Sequence, residues 1–198
     1  MPTSRRLLPR AAVACLALLP LLASAHTGDG VVGGFASGFL HPLLGWDHVA
    51  AMVAVGLWGA FLGRPAIWVL PVVFPLVMTV GGALGVAGVP LPGVEIGIAM
   101  SAVLLGGAVA FAARPALWVA ALLVGAFAVF HGHAHGTELP GAADPVAYSL
   151  GFVVATGLLH LAGIALGETV RWPHGRAVVR ATGALIAGAG VFFLGRAF

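Results

Sequence analysis

Polar positions along this chain are few and grouped. The groups fall between apolar stretches that are each close to the roughly 20 residues a helix needs to cross a hydrocarbon core. Six such stretches cover residues 45–62, 65–86, 94–113, 115–130, 145–169 and 177–194. They predict an all-α membrane protein with six transmembrane helices. The links are short and rich in turn residues: Gly63-Arg64-Pro65, Val89-Pro90-Leu91-Pro92-Gly93, Arg114-Pro115, 136–145 and 171–176. Short links make successive helices neighbours of opposite direction, so an antiparallel helical bundle is expected.

A further apolar run precedes these six. Arg5, Arg6 and Arg10 come before apolar residues 11–22, and Ala23-Ser24-Ala25 follows. Basic, apolar and small residues in that order form a secretory signal peptide. Residues 1–25 are therefore expected to be removed, leaving 26–198 as one six-helix transmembrane domain. A translocated N-terminus then puts the first, third and fifth links in the cytoplasm. Those links hold Arg64, Arg114, Arg171 and Arg176, with Arg180 close by, whereas Asp29, Glu138 and Asp144 fall on the other side. Cytoplasmic links are the ones that carry excess Arg and Lys. This orients a bacterial-type inner (plasma) membrane protein, multi-pass, with both mature termini on the periplasmic side. The segments Arg64-Pro65-Ala66-Ile67-Trp68-Val69 and Arg114-Pro115-Ala116-Leu117-Trp118-Val119 repeat one another. Either duplication or the shared demands of an interfacial helix start explains them.

Composition narrows the class further. The chain is 61% hydrophobic and 8% charged, with 30 glycines and a mean hydropathy of +1.09, which excludes an ordinary soluble domain. Its basic pI comes from the leader: without Arg5, Arg6 and Arg10, arginines and acids balance, so no nucleic-acid partner is implied. The expected partners are the lipid bilayer and a small ligand, and a homo-oligomer is compatible with the chain. The single cysteine, Cys15, leaves with the leader, so any metal site must use nitrogen and oxygen donors.

Two clusters supply such donors: His41-Pro42-Leu43-Leu44-Gly45-Trp46-Asp47-His48 and Phe130-His131-Gly132-His133-Ala134-His135-Gly136-Thr137-Glu138. Ionisable groups at membrane depth point to function. On the expected topology Asp47, His48, Glu95, His131, His133, His135 and Glu138 all lie towards the outer face, and His160 lies midway through the fifth span. Pro42 suits a first helical position, so His41 is expected to cap a helix that carries His48 two turns on. Asp47 either ligates or holds an imidazole through its ring N–H. Helical geometry pairs His131 with His135, whereas an extended strand puts His131, His133 and His135 on one side. Glu95 serves equally as a ligand or as favourable negative charge at a helix start. The tryptophans read as interface anchors. A terminal amine and imidazole at His26 form a further candidate grip. Imidazole with carboxylate and no thiolate suits divalent nickel, cobalt, zinc or copper.

The two motifs and the span count together resemble the HupE/UreJ family of hydrogenase and urease accessory proteins. The matching residues are His41-Pro42, Gly45 and Asp47-His48, then Phe130-His131-Gly132, Ala134-His135-Gly136 and Glu138. The resemblance implies a permease domain over 26–198 that takes up nickel or cobalt for metalloenzyme maturation. It implies a transporter rather than an enzyme, with Ni2+ or Co2+ as cargo, Zn2+ as a further fit and no resident cofactor. His133 falls between the matching positions. The chain has no Gly-rich, Lys-containing nucleotide loop, so ATP is not its own energy source. Two rivals use the same residues: an intramembrane hydrolase with a His-bound zinc, and a periplasmic metal sensor that moves nothing.

Overall fold

The computed structural model describes residues 34–139 and 144–198. The expected signal peptide at 1–25, His26 and Asp29 lie outside the described residues. Among those described, the chain forms seven α-helices and no strand. They are α1 (Gly34–Leu44), α2 (Trp46–Leu62), α3 (Ala66–Val86), α4 (Val94–Ala110), α5 (Leu117–Thr137), α6 (Pro145–Gly167) and α7 (Gly175–Leu194). A 3-10 turn, Glu168–Arg171, extends α6. The helices α3, α5, α6 with that turn, and α7 are long and apolar enough to cross a membrane. α1 and α2 reach that length only together, across a bend of 83°. α4 has 17 residues, which is about 26 Å at 1.5 Å per residue.

α2 is the central element. Beyond its first turn it is apolar on every side, and it packs on α1, α3, α4, α6 and α7. Met52, Val55, Leu57 and Trp58 are all buried within it, as expected of a helix with no polar face. α3 and α7 have the opposite character. Leu76 and Val80 on one, and Leu185, Val191 and Phe192 on the other, stand exposed, forming outward apolar faces of the kind lipid covers.

Three features differ from the sequence expectation. First, His41 and Pro42 lie inside α1 and do not start the helix that carries His48. The chain turns at Gly45, whose extended backbone (φ −89, ψ 104) precedes α2. Pro42 is tolerated in the last turn of α1, where the hydrogen bond it lacks is the one to Gly38. His41 and His48 therefore sit on different helices. Second, α5 does not stop at Phe130 but continues to Thr137, so the second motif is helical as far as its last residue, Glu138, which caps the helix. Its glycines explain why: a Cβ at Gly132 would strike the Met78 carbonyl, and one at Gly136 the Gly82 carbonyl. Gly81 and Gly85 return the arrangement against the carbonyls of Val129 and His133. Close backbone approach at small residues is how apolar helices associate in lipid. Third, Trp58 is not an interface anchor: it is buried and donates its indole N–H to the Ala113 carbonyl at 3.2 Å.

That last bond belongs to one end of the bundle. There Arg114 lies over the Phe61 ring at 4.8 Å, and Arg180 Nε donates to the Ala110 carbonyl at 2.8 Å. The second contact satisfies a carbonyl that the end of α4 leaves open. Arg171 pairs with Glu168 at 2.7 Å. The start of α2, the end of α5 and the start of α6 form the opposite end, which holds His41, His48, His131 and His135.

Candidate metal centre

α5 sets the geometry. As helical neighbours four apart, His131 and His135 share one face, and both are buried. His48, from the first turn of α2, sits between them, with ring centroids 4.8 Å from His131 and 4.4 Å from His135. His41, arriving on α1, lies 4.9 Å from His135, ring edge to face. Its Nε2–H donates to the Glu138 carboxylate at 3.0 Å, and Glu138 Oε2 lies 3.9 Å from His135 Nδ1. The rings thus form a series: Glu138, His41, His135, His48, His131. Side-chain exposure is 52% at Glu138 and 31% at His41, against 7% at His135 and 12% at His48, and His131 is fully buried. Two motifs far apart in sequence build one site.

The nitrogens of this site are left open. Buried polar atoms ordinarily find partners. Yet His48 Nε2, His131 Nδ1 and both ring nitrogens of His135 have none within the protein. The other nitrogens of His48 and His131 are held. Asp47 Oδ1 accepts from His48 Nδ1–H at 2.8 Å and from the His48 backbone N–H at 2.8 Å. His131 Nε2 meets the Ser101 hydroxyl at 2.9 Å. A carboxylate, backbone carbonyl or water on the far side of an imidazole is the usual support of a metal-ligating histidine, and at His131 a hydroxyl takes that place. Asp47 is therefore placed to orient His48. Outside the spans, the hydrogen bond from His41 keeps the Glu138 carboxyl below its usual range, against the opposing effect of partial burial.

Ligand atoms of His41, His135 and Glu138 lie within 4.8 Å of one another. Two donors at metal–nitrogen distance from one ion span at most about 4.2 Å. At tetrahedral angles the span is about 3.4 Å, so this trio must contract by about an ångström or more to hold an ion jointly.

The remaining candidates are placed elsewhere. His133 shares the motif but not the face: its Nε2–H donates to the Val89 carbonyl at 2.7 Å, in the link before α4. The extended arrangement that puts it beside His131 and His135 is therefore not adopted. Glu95 is exposed in the first turn of α4 and makes no ion pair among the described residues. His160 is buried midway along α6. One residue joins it to the cluster: the Phe74 ring of α3, itself fully buried, lies 5.4 Å from His131 and 5.4 Å from His160. Sequence reasoning missed Phe74, along with Ser101 and the aromatic wall of Tyr148 and Phe152. The Phe152 ring lies 4.2 Å from that of His135, tilted by 58°, and Tyr148 lies 5.9 Å from His41. A cavity of ≈ 340 Å³ between α3, α5 and α6 opens beside His135 and Tyr148. A second, of ≈ 310 Å³, borders His160 and Pro71, and Val153 lines both.

The family described as HupE / UreJ protein matches residues 13–193. Protein HupE of Rhizobium leguminosarum bv. viciae is 44% identical over 176 residues, which cover 89% of this chain and 92% of that protein. No solved structure matches. With its long apolar helices and a match along nearly its whole length, this chain is a multi-pass membrane protein that belongs to the HupE/UreJ family.

Proposed function

We propose that this protein is a secondary permease that carries a divalent transition metal, nickel or cobalt, across the inner membrane towards metalloenzyme maturation. The observation that carries the reading is the graded row of imidazoles with unpartnered nitrogens, from half-exposed Glu138 inward to buried His131. Capture begins at His41, Glu138 and His135, moves to His48 and His131, and passes the Phe74 ring to His160. The two cavities, which share Val153 in their linings, support passage along the α3–α6 seam. In this reading the chain crosses six times, with α2 and α4 as the short spans, and the excess of arginine in cytoplasmic links supports an arginine end in the cytoplasm and a histidine end in the periplasm. Nitrogen and oxygen donors suit nickel, cobalt and zinc, so the ion preference is read from transport. Membrane potential, a proton gradient or a partner supplies the drive.

The test is uptake of nickel, cobalt and zinc by liposomes holding the purified protein, wild type beside Asp47→Ala and His131→Ala. Influx of one ion in the wild type, lost in both variants, is expected. Tight binding without influx would instead favour a sensor or a zinc hydrolase.

A further inference from the structure

We propose that Ser101 is a positioning residue of the metal centre: it fixes His131 as the Nε2–H tautomer and so reserves Nδ1 for the ion. This rests on the metal-handling reading above and assigns a residue outside both motifs.

The number of protons available at Ser101 fixes the tautomer of His131. Ser101 lies on α4 and is fully buried. Its hydroxyl has two neighbours, the Ile98 carbonyl at 2.5 Å and His131 Nε2 at 2.9 Å. A serine hydroxyl offers one proton and accepting lone pairs. A carbonyl has no proton to give, and two bare oxygens at 2.5 Å would repel, so the serine hydrogen lies between Ser101 and Ile98. Towards His131 the hydroxyl can then only accept. Nε2 must carry the hydrogen, and in a neutral ring the lone pair falls on Nδ1. That atom is buried and without a partner in the protein.

His48 obeys the same logic with the opposite outcome. Asp47 accepts from its Nδ1, which leaves Nε2 open. The choice of supporting group follows burial. Asp47 is 26% exposed and can remain a carboxylate, whereas a second carboxylate at the fully buried Ser101 position would be costly. A neutral acceptor fixes the tautomer there without adding charge. Removing such a support typically lowers metal affinity 10- to 100-fold.

The experiment is nitrogen-15 NMR of histidine-labelled, metal-free protein in nanodiscs, with the His131 signals identified by their loss in His131→Gln. The wild type should show a protonated Nε2 and an unprotonated Nδ1. Ser101→Ala should mix the tautomers and weaken nickel binding by roughly 10- to 100-fold, and Ser101→Thr, which keeps the hydroxyl, should restore both. A wild type with hydrogen on Nδ1 overturns the proposal. So does a Ser101→Ala protein with unchanged tautomer and unchanged nickel affinity. A wild type that binds nickel in the Nε2–H form yet moves none supports this assignment while removing the transport reading.

Discussion

The two ends of this bundle treat their polar groups in opposite ways. At the arginine end, Arg171 is paired with Glu168, Arg180 closes a helix carbonyl, Arg114 covers an aromatic ring and Trp58 donates to Ala113. At the histidine end, four ring nitrogens of His48, His131 and His135 are buried without partners. Polar groups that only stabilise a fold are satisfied within it, because each unmet buried group costs on the order of 1–3 kcal/mol. Nitrogens kept open at that cost mark where an external group binds. His133, two residues from both His131 and His135, also leaves its Nδ1 buried without a partner; what sets it apart is its face of α5, from which its Nε2–H donates to the Val89 carbonyl.

Variants at the two ends sharpen this difference. The largest effect is expected at His135→Ala, which removes the ring that touches both His41 and His48. Nickel influx should fall by more than about 100-fold while the helical circular dichroism stays that of the wild type. Next, Asp47→Ala leaves His48 unoriented, and the loss in metal affinity should be roughly 10- to 100-fold by calorimetry. The pH dependence comes third. Neutral imidazole binds metal and imidazolium does not, so influx should fall as pH drops through about 8 to 5. The His41 hydrogen bond lowers the Glu138 pKa, so that carboxylate stays ionised until more acid conditions. The mildly acid loss therefore reports the histidines, and a flat profile with metal speciation controlled would contradict imidazole ligation. The smallest transport effects are expected at His133→Ala and Arg180→Ala, within about threefold of wild type. Each removes one hydrogen bond, and each should lower stability by about 0.5–1.5 kcal/mol in a denaturation series.

Much of the fold was legible because hydropathy and turn residues are strong signals in an apolar chain. The six apolar stretches coincide with α2 to α7 to within a few residues at most ends. The break between α1 and α2 was misread, since Pro42 and Gly45 fit a helix start as well as a bend, and only the packing of Gly38 against Tyr148 distinguishes them. The extent of α5 was hidden for a similar reason. Glycine and histidine read as the end of a span, whereas Gly132 and Gly136 are the positions where α5 meets α3 backbone to backbone. In the site, the motif residues His41, His48, His131 and His135 were visible from type and spacing. Ser101 and Phe74 were not, because a lone serine or phenylalanine in an apolar stretch carries no pattern. The available signal was that Ser101 is the single hydroxyl in α4.

The claim that ties these regions together is that an ion leaves the outer cluster past Phe74 and reaches His160. The most direct measurement is nickel influx into proteoliposomes for wild type and His160→Asn, each normalised to nickel bound by the same protein. Binding should remain within a few-fold of wild type while influx falls at least about tenfold. Influx in His160→Asn equal to that of the wild type would contradict a route through the buried histidine.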